Sequence, residues 1–351
     1  MTSQRHKSFG SDNHAGAHPD VLSALVAANA GDATAYGDDP HTERAAGRLR
    51  EAFGAAGAFL VFGGTAANVL GLSLMLRPFE AVICLQTAHL SEDECGATER
   101  ALGSKLLTVP APDGKLTPGL IATRLAGRGN SHKPQPRAVE IAQATEVGTC
   151  YTLAELRAIR EFCDAHDLLL YIDGARLANA AAYLGCSLAD LAVHADVLSF
   201  GGTKNGAVGA EAVIVMNAAL VPAMEFQRMQ LMQLASKMRF LSAQFNALLD
   251  GDLWRRNAAT ANSMARRLAD GVSDVPDLTL AYPVEVNAVF AALDRAQVAE
   301  LQRDWTFHVW DEPGGERCVV RWMTAFDTTE SDVDAFVSAI RATARAAQPV
   351  S

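Results

Sequence analysis

Between residues 58 and 216 the chain repeats one pattern, a short apolar run followed by a longer amphipathic or polar segment. Seven runs stand out: Ala58–Phe62, Ala81–Leu85, Lys105–Val109, Ala138–Gln143, Leu168–Ile172, Asp196–Phe200 and Glu211–Met216. Each has strand length, and most are rich in Val, Ile, Leu or Phe. Continuous apolar runs suit strands that are covered on both faces. The intervals between the first six are long enough for a crossover helix. In one of them Thr152-Leu-Ala-Glu155 is a capping box, followed on one helical face by Leu153, Leu156, Ile159 and Phe162. The pattern predicts an α/β domain with a seven-stranded, mostly parallel sheet. Only ten residues separate the last two runs. That is short for a parallel crossover, so the final strand is expected to run antiparallel.

Beyond about residue 250 the pattern changes. Leu278–Tyr282, Ala288–Leu293, Thr306–Trp310 and Cys318–Met323 read as strands, and Asp294–Asp304 reads as a helix. The chain closes on an amphipathic helix carrying Val333, Phe336, Val337 and Ile340. This predicts a smaller α+β domain, with the division falling between 1–249 and 250–351. The Met224–Phe245 segment is expected to be helical and to link the two. The first ten and last five residues are expected to fray.

Composition narrows the function. An apolar share of 49% is enough for a packed core and excludes wholesale disorder. The net charge of −10 argues against a nucleic-acid partner, which needs an extended basic face, but leaves room for a small anion held by a few cations. No apolar run reaches membrane-spanning length, and none follows the basic start MTSQRHKSFG, so neither a membrane span nor a signal peptide is expected. The six cysteines form no CxxC pair. No zinc or other metal site is read from them; free thiols in a reducing cytoplasm are expected.

Four features carry candidate chemistry, and each lies just past a predicted strand. Gly63-Gly64-Thr65 opens a helix expected to reach about Leu76, and amides at a helix N-terminus bind phosphate. A tight turn with a Thr cap is the plain alternative. His89, after the second strand, could stack on a flat ligand or move protons, or be a satisfied loop histidine. Asp173 ends the run Leu168-Leu-Leu-Tyr-Ile-Asp173, where open α/β sheets bind ligands. It could pair with a pyridinium nitrogen or cap the helix that begins near Ala175. Lys204 lies in the Gly-rich Ser199-Phe-Gly-Gly-Thr-Lys-Asn-Gly206, as either a Schiff-base lysine or a solvated one. A parallel sheet brings all four to one edge. Together they form the set that holds pyridoxal 5'-phosphate: phosphate anchor, ring cover, pyridinium partner and Schiff-base amine.

The ordered blocks resemble the low-specificity L-threonine aldolases, including the phenylserine aldolases, of the aminotransferase-like fold type I. The matching blocks are Phe9-Gly-Ser-Asp-Asn13, Tyr36-Gly-Asp-Asp39, Gly64-Thr-Ala-Ala-Asn68, His89 with Asp93-Glu-Cys-Gly-Ala97, and Gln143-Ala-Thr-Glu-Val-Gly148. They continue with Asp173-Gly-Ala-Arg-Leu-Ala-Asn179, Ser199 to Gly206, Ser236-Lys-Met-Arg-Phe240 and Val320-Arg-Trp-Met-Thr324. The resemblance implies that Lys204 carries the cofactor, Asp173 holds its ring nitrogen, His89 stacks on the ring, and Gly64 and Thr65 bind its phosphate. It implies that Ser11, Arg176 and Arg321 bind the substrate carboxylate, with Arg321 pointing from a strand into an interdomain cleft. A surface strand cation is the alternative for Arg321. Arg176 and Arg239 are also implied to bind the cofactor, His132 matches a second active-site histidine, and Tyr36 and Arg239 are implied to act across subunits of a homotetramer, a dimer of dimers. One departure stands out. Met229 and Gln230 occupy positions where the family commonly has cations. The implied activity is cleavage of L-threonine, L-allo-threonine or aryl β-hydroxy-α-amino acids to glycine and an aldehyde, with His89 or His132 handling the hydroxyl proton. A β-eliminating lyase or a transaminase on the same fold, or a cofactor-binding protein without catalysis, are the alternatives.

Overall fold

A computed structural model describes residues 6–311 and 316–346. The chain folds as two compact units. The larger comprises Ala17–Glu146 and Cys150–Trp254; the smaller gathers Val147–Thr149, Arg255 onward, and the described part of Met1–Gly16.

The larger unit holds seven strands: β1 (Gly57–Val61), β2 (Glu80–Leu85), β3 (Lys105–Val109), β4 (Gln135–Ala142), β5 (Leu169–Asp173), β6 (Val197–Gly201) and β7 (Glu211–Val215). Their order is β1-β7-β6-β5-β4-β2-β3. β2 through β6 pair in parallel, while β7 is antiparallel to both β1 and β6, as the ten-residue interval requires. All five residues of β6 and of β7 are buried. An apolar run without alternation has therefore become a strand covered on both faces. Parallel pairing collects the carboxyl ends at one edge: Leu85, Ala142, Asp173 and Gly201 finish there, and Glu211 starts there opposite Gly201.

Two glycines fix how closely β5 and β6 approach at that edge. A Cβ on Gly174 would lie 1.9 Å from the Ser199 carbonyl oxygen, and one on Gly201 would lie 2.4 Å from that of Ala175. The gap is closed by hydrogen bonds. Gly174 N–H donates to Ser199 Oγ at 2.9 Å, and Gly201 N–H donates to the Gly174 carbonyl at 3.1 Å.

Some helices differ from expectation. The one opened by Gly63 spans Gly64–Ser73 and stops short of Leu76; its N-cap has no side-chain hydrogen bond, so Thr65 is not a cap. Met224–Phe245 is not one helix. Val221–Gln230 and Arg239–Leu249 are separate, and both belong to the larger unit. Met232 takes a left-handed φ of 60°, and Gln233 N–H closes the turn onto the Arg228 carbonyl at 2.8 Å. No Gly or Pro marks that break, so the apolar spacing runs straight through it.

In the smaller unit β8 (Thr279–Leu280), β9 (Ala288–Asp294), β10 (His308–Asp311) and β11 (Arg317–Met323) form an antiparallel sheet in the order β10-β11-β9-β8. Helix Leu253–Val272 has no counterpart among the elements that the apolar pattern predicts. Its buried stripe of Ala258, Ala261, Ala265, Leu268 and Val272 is mostly alanine, which gives little apolar contrast. The N-terminal segment does not fray from residue 6 onward. Phe9 is fully buried and stacks on Phe336 at 4.5 Å; its N–H donates to the Thr306 carbonyl at 2.9 Å, and its own carbonyl accepts from Met323 N–H at 2.7 Å. The first five and last five residues lie outside the described residues. Among the described residues no helix is long and apolar enough to cross a membrane.

The close approach of β5 and β6 is testable. Gly174→Ala is expected to lower unfolding stability by about 3 kcal/mol, at the upper end of overpacking costs. Gly63→Ala, whose Cβ would meet nothing within 4 Å, is expected to change it by less than about 0.5 kcal/mol. Denaturant unfolding of both variants checks this, and equal effects would refute it.

Candidate active site

At the carboxyl edge of the large sheet, Asp173 is buried with both carboxylate oxygens engaged. Ala175 N–H donates to its Oδ1 and Asn68 Nδ2 donates to its Oδ2, each at 2.9 Å. Asn68 comes from the helix Gly64–Ser73, one turn after Thr65. Its amide also donates to Glu94 Oε1 at 2.9 Å and accepts from Tyr171 OH at 2.8 Å. Glu94 Oε1 also pairs with His89 Nδ1 at 3.0 Å, and Glu146 Oε1 accepts from the His89 backbone N–H at 3.2 Å. One connected set thus runs from Tyr171 through Asn68 and Glu94 to His89.

The set is rich in carboxyl groups, and this shapes its protonation. Burial, then the neighbouring Glu146, Asp173 and Glu94, push the Glu140 carboxyl well above its ordinary range. Burial pushes Glu146 up to about 7, with Asp173 adding to the shift. The Glu94 hydrogen bond raises the His89 pKa, against an opposing effect of burial. Glu94 Oε2 and Glu140 Oε1 are buried with no hydrogen-bond partner. Repulsion among buried carboxylates favours a proton on some of them and a cation beside the others.

Lys204 lies in the single 3₁₀ turn Thr203–Asn205 just beyond β6, closed by Gly206 at a left-handed φ of 99°. Glu211 anchors this turn from β7. Its Oε2 accepts from Gly202 N–H at 3.1 Å, and burial pushes its carboxyl up to about 7 while Thr203 and Lys204 oppose the shift. Lys204 also acts on His89, where its charge lowers the imidazole pKa.

The structure brings His89, Asp173 and Lys204 to one edge, as expected, with Gly64, Thr65 and Arg176 on loops or helix starts at the same edge. His132 is elsewhere within this chain. It is exposed, three residues before the amino end of β4, while Ala142 at the other end pairs with Asp173. The eight residues of β4 span about 26 Å. Arg239 donates to the Gly31 carbonyl at 2.9 Å. Tyr36, half exposed, lines a cavity of about 360 Å³ with Arg50, Glu225 and Arg228. Arg228 is buried with its guanidinium 5.6 Å from the Phe59 ring, whereas Met229 and Gln230 are exposed. Ser11 and Arg321 belong to the smaller unit, where Ser11 Oγ accepts from Asn13 N–H at 3.2 Å and Arg321 packs 5.1 Å from the Trp310 ring.

Asn68, Glu94, Glu140, Glu146 and Glu211 do not stand out as site residues in the sequence. Glu140 and Glu211 do carry a signal, a lone carboxylate in an otherwise apolar strand run. Asn68, Glu94 and Glu146 sit inside blocks that serve only as markers of the resemblance.

The residues fit pyridoxal phosphate. An uncapped helix start with open space over Gly63 and Gly64 suits a phosphate. A buried carboxylate among other carboxyls suits a protonated ring nitrogen, and His89 keeps 39% of its side chain exposed for stacking.

Sheet order and site together define a fold type I enzyme. The family model described as beta-eliminating lyase matches residues 8–296. A low-specificity L-threonine aldolase of a Pseudomonas species is 44% identical over 97% of this chain and 99% of its own. The structure of Leishmania major threonine aldolase superposes with a TM-score of 0.92 at 35% identity, covering 96% of this chain and 99% of that one. At the level of fold alone, the chain matches S. paucimobilis serine palmitoyltransferase solved with a bound PLP–myriocin adduct: TM-score 0.71, 16% identity, 97% and 88% covered. This chain belongs to the low-specificity L-threonine aldolase family, a PLP-dependent family of carbon–carbon lyases.

The Asn68 bridge gives a prediction with a pH signature. Asn68→Asp replaces two donated hydrogen bonds by a third carboxyl between Glu94 and Asp173. Burial and these neighbours would raise the new carboxyl's folded pKa above its unfolded value. Its contribution to stability is then present below the unfolded pKa and lost as pH rises through the folded one. The variant's deficit is expected to grow between about pH 5 and pH 8, reaching about 3–5 kcal/mol. Thermal unfolding across that range checks it; a deficit independent of pH would refute it.

Proposed function

We propose that this chain cleaves β-hydroxy-α-amino acids of the L-threonine, L-allo-threonine or phenylserine type to glycine and an aldehyde, using pyridoxal 5'-phosphate. The observation that carries the reading is the buried Asp173 carboxylate at the end of β5, with the Lys204 turn following the adjacent β6. Bound there, the cofactor supplies an electron sink for the pair released when Cα–Cβ breaks. Lys204 is the amine that holds it covalently. Asp173 keeps the ring nitrogen protonated, and Asn68 and the Ala175 amide hold Asp173 in place. His89 covers one ring face, its imidazole oriented by Glu94. The first-turn amides of Gly64 and Thr65 meet the phosphate.

Arg176, Ser11 and Arg321 are the proposed holders of the substrate carboxylate. The site is completed in a homotetramer built as a dimer of dimers, where Tyr36 and Arg239 serve a neighbouring subunit. His132 acts on a site only from such a neighbour. Six free cysteines suit a reducing cytoplasm.

The test is glycine release from L-threonine and phenylserine by the cofactor-loaded protein. Glycine and aldehyde are expected in equal amounts, with Lys204→Ala losing at least about 10³-fold and its near-visible absorbance band. Ammonia and keto acid in place of glycine would instead favour the elimination reading that the family model's description suggests.

A further inference from the structure

The two groups that the smaller unit is proposed to offer a substrate carboxylate, Ser11 and Arg321, meet at Gly10. Arg321 Nη2 donates to the Gly10 carbonyl at 3.4 Å. Ser11 is the next residue and caps the single 3₁₀ turn Asp12–His14. Two histidines close on the same spot. His308 stands directly opposite Arg321 across the β10–β11 ladder. Side chains so paired share one face of a sheet, with Cβ atoms about 5 Å apart. His14 ends the 3₁₀ turn, and its N–H donates to the Ser11 carbonyl at 3.0 Å. A Cβ on Gly10 would lie 3.0 Å from His14 Cε1 and 3.5 Å from His308 Nε2. Glycine thus lets both rings rest against the backbone that Arg321 binds.

Each piece is held. Ser8 Oγ lies 2.7 Å from His14 Nδ1, which leaves Nε2 to meet a ligand. Ser11 Oγ accepts from Asn13 N–H, which leaves its own proton to donate. The His14 and His308 rings meet edge to face at 6.2 Å. The Arg321 guanidinium lies 5.1 Å from the Trp310 ring, a cation–π contact. Both imidazoles are exposed. Two imidazoles, a guanidinium and a hydroxyl therefore gather around one glycine, and all of them can donate to an anion. We infer that His14 and His308 are further substrate-binding residues, which with Arg321 and Ser11 hold the α-carboxylate of the amino acid. The assignment rests on the aldolase reading above.

The cluster is linked to protons. Burial, then the charges of Arg321 and His14, lower the His308 pKa from its ordinary 6.5. Among the described residues, the charged and titratable groups acting on it are Arg321 on β11 and His14 on the N-terminal segment. A carboxylate seated among the three offsets that repulsion and favours the protonated imidazole. Binding then takes up a proton, so affinity for a carboxylate falls as pH rises.

The test is a titration of the cofactor-loaded protein with glycine and with 2-aminoethanol, followed on the near-visible absorbance band. Both ligands present a primary amine, and only glycine carries a carboxylate. His14→Phe and His308→Phe keep an aromatic ring and remove its donors. Each is expected to raise the glycine Kd about 3–10-fold and the pair about 10–100-fold, with 2-aminoethanol held within about twofold. KM for L-threonine should rise along with the glycine Kd. The wild-type preference for glycine over 2-aminoethanol is expected to fall between about pH 5 and pH 8, a slope that the double variant loses. Unchanged glycine affinity in the double variant, equal weakening of both ligands, or a wild-type preference independent of pH would each overturn the assignment. An Arg321→Leu protein that keeps the preference for glycine would overturn the carboxylate site on which it rests. A wild-type protein that binds glycine but cleaves no hydroxy amino acid would overturn the aldolase reading itself.

Discussion

Repulsion among buried carboxyl groups governs this site. Glu94, Glu140, Glu146 and Asp173 act on one another at the carboxyl edge of a single sheet, away from bulk water. Each remedy the chain uses is visible. Burial and like charge favour a proton on Glu140. The Asn68 amide donates to Glu94 and Asp173 at once, and His89 pairs with Glu94. A cation suits such a pocket, and the protonated ring nitrogen of the cofactor this family uses would be one.

Backbone geometry makes that balance possible. The Gly174 and Gly201 approach leaves no room for side chains between β5 and β6. Asp173 and the Lys204 turn consequently sit on adjacent strands at fixed separation. Glu211, starting on β7 at the same edge, holds Gly202 from the other side. Lys204 is thus presented by a short turn anchored at its start by Glu211 and closed by Gly206, and its charge acts on His89. Rigid placement of this kind lowers the ordering cost of bringing a side chain to a ligand.

Much of this is legible in the sequence because the signals are local. Seven apolar runs give seven strands, and a ten-residue gap gives the antiparallel one. Residues just past strand ends are visible as such, which is why Asp173, His89 and Lys204 can be picked out. The helix Leu253–Val272 is not legible, since alanine buries a face without marking it. Nor is the break at Met232, because a left-handed residue other than Gly or Asn leaves no trace in composition. His132 rests on a block match, which carries no information about which end of β4 it precedes. Glu146 is silent in the sequence because a glutamate in a polar loop is ordinary until its neighbours are known. Its character comes from burial and from groups 57 and 27 positions away in the chain, His89 and Asp173.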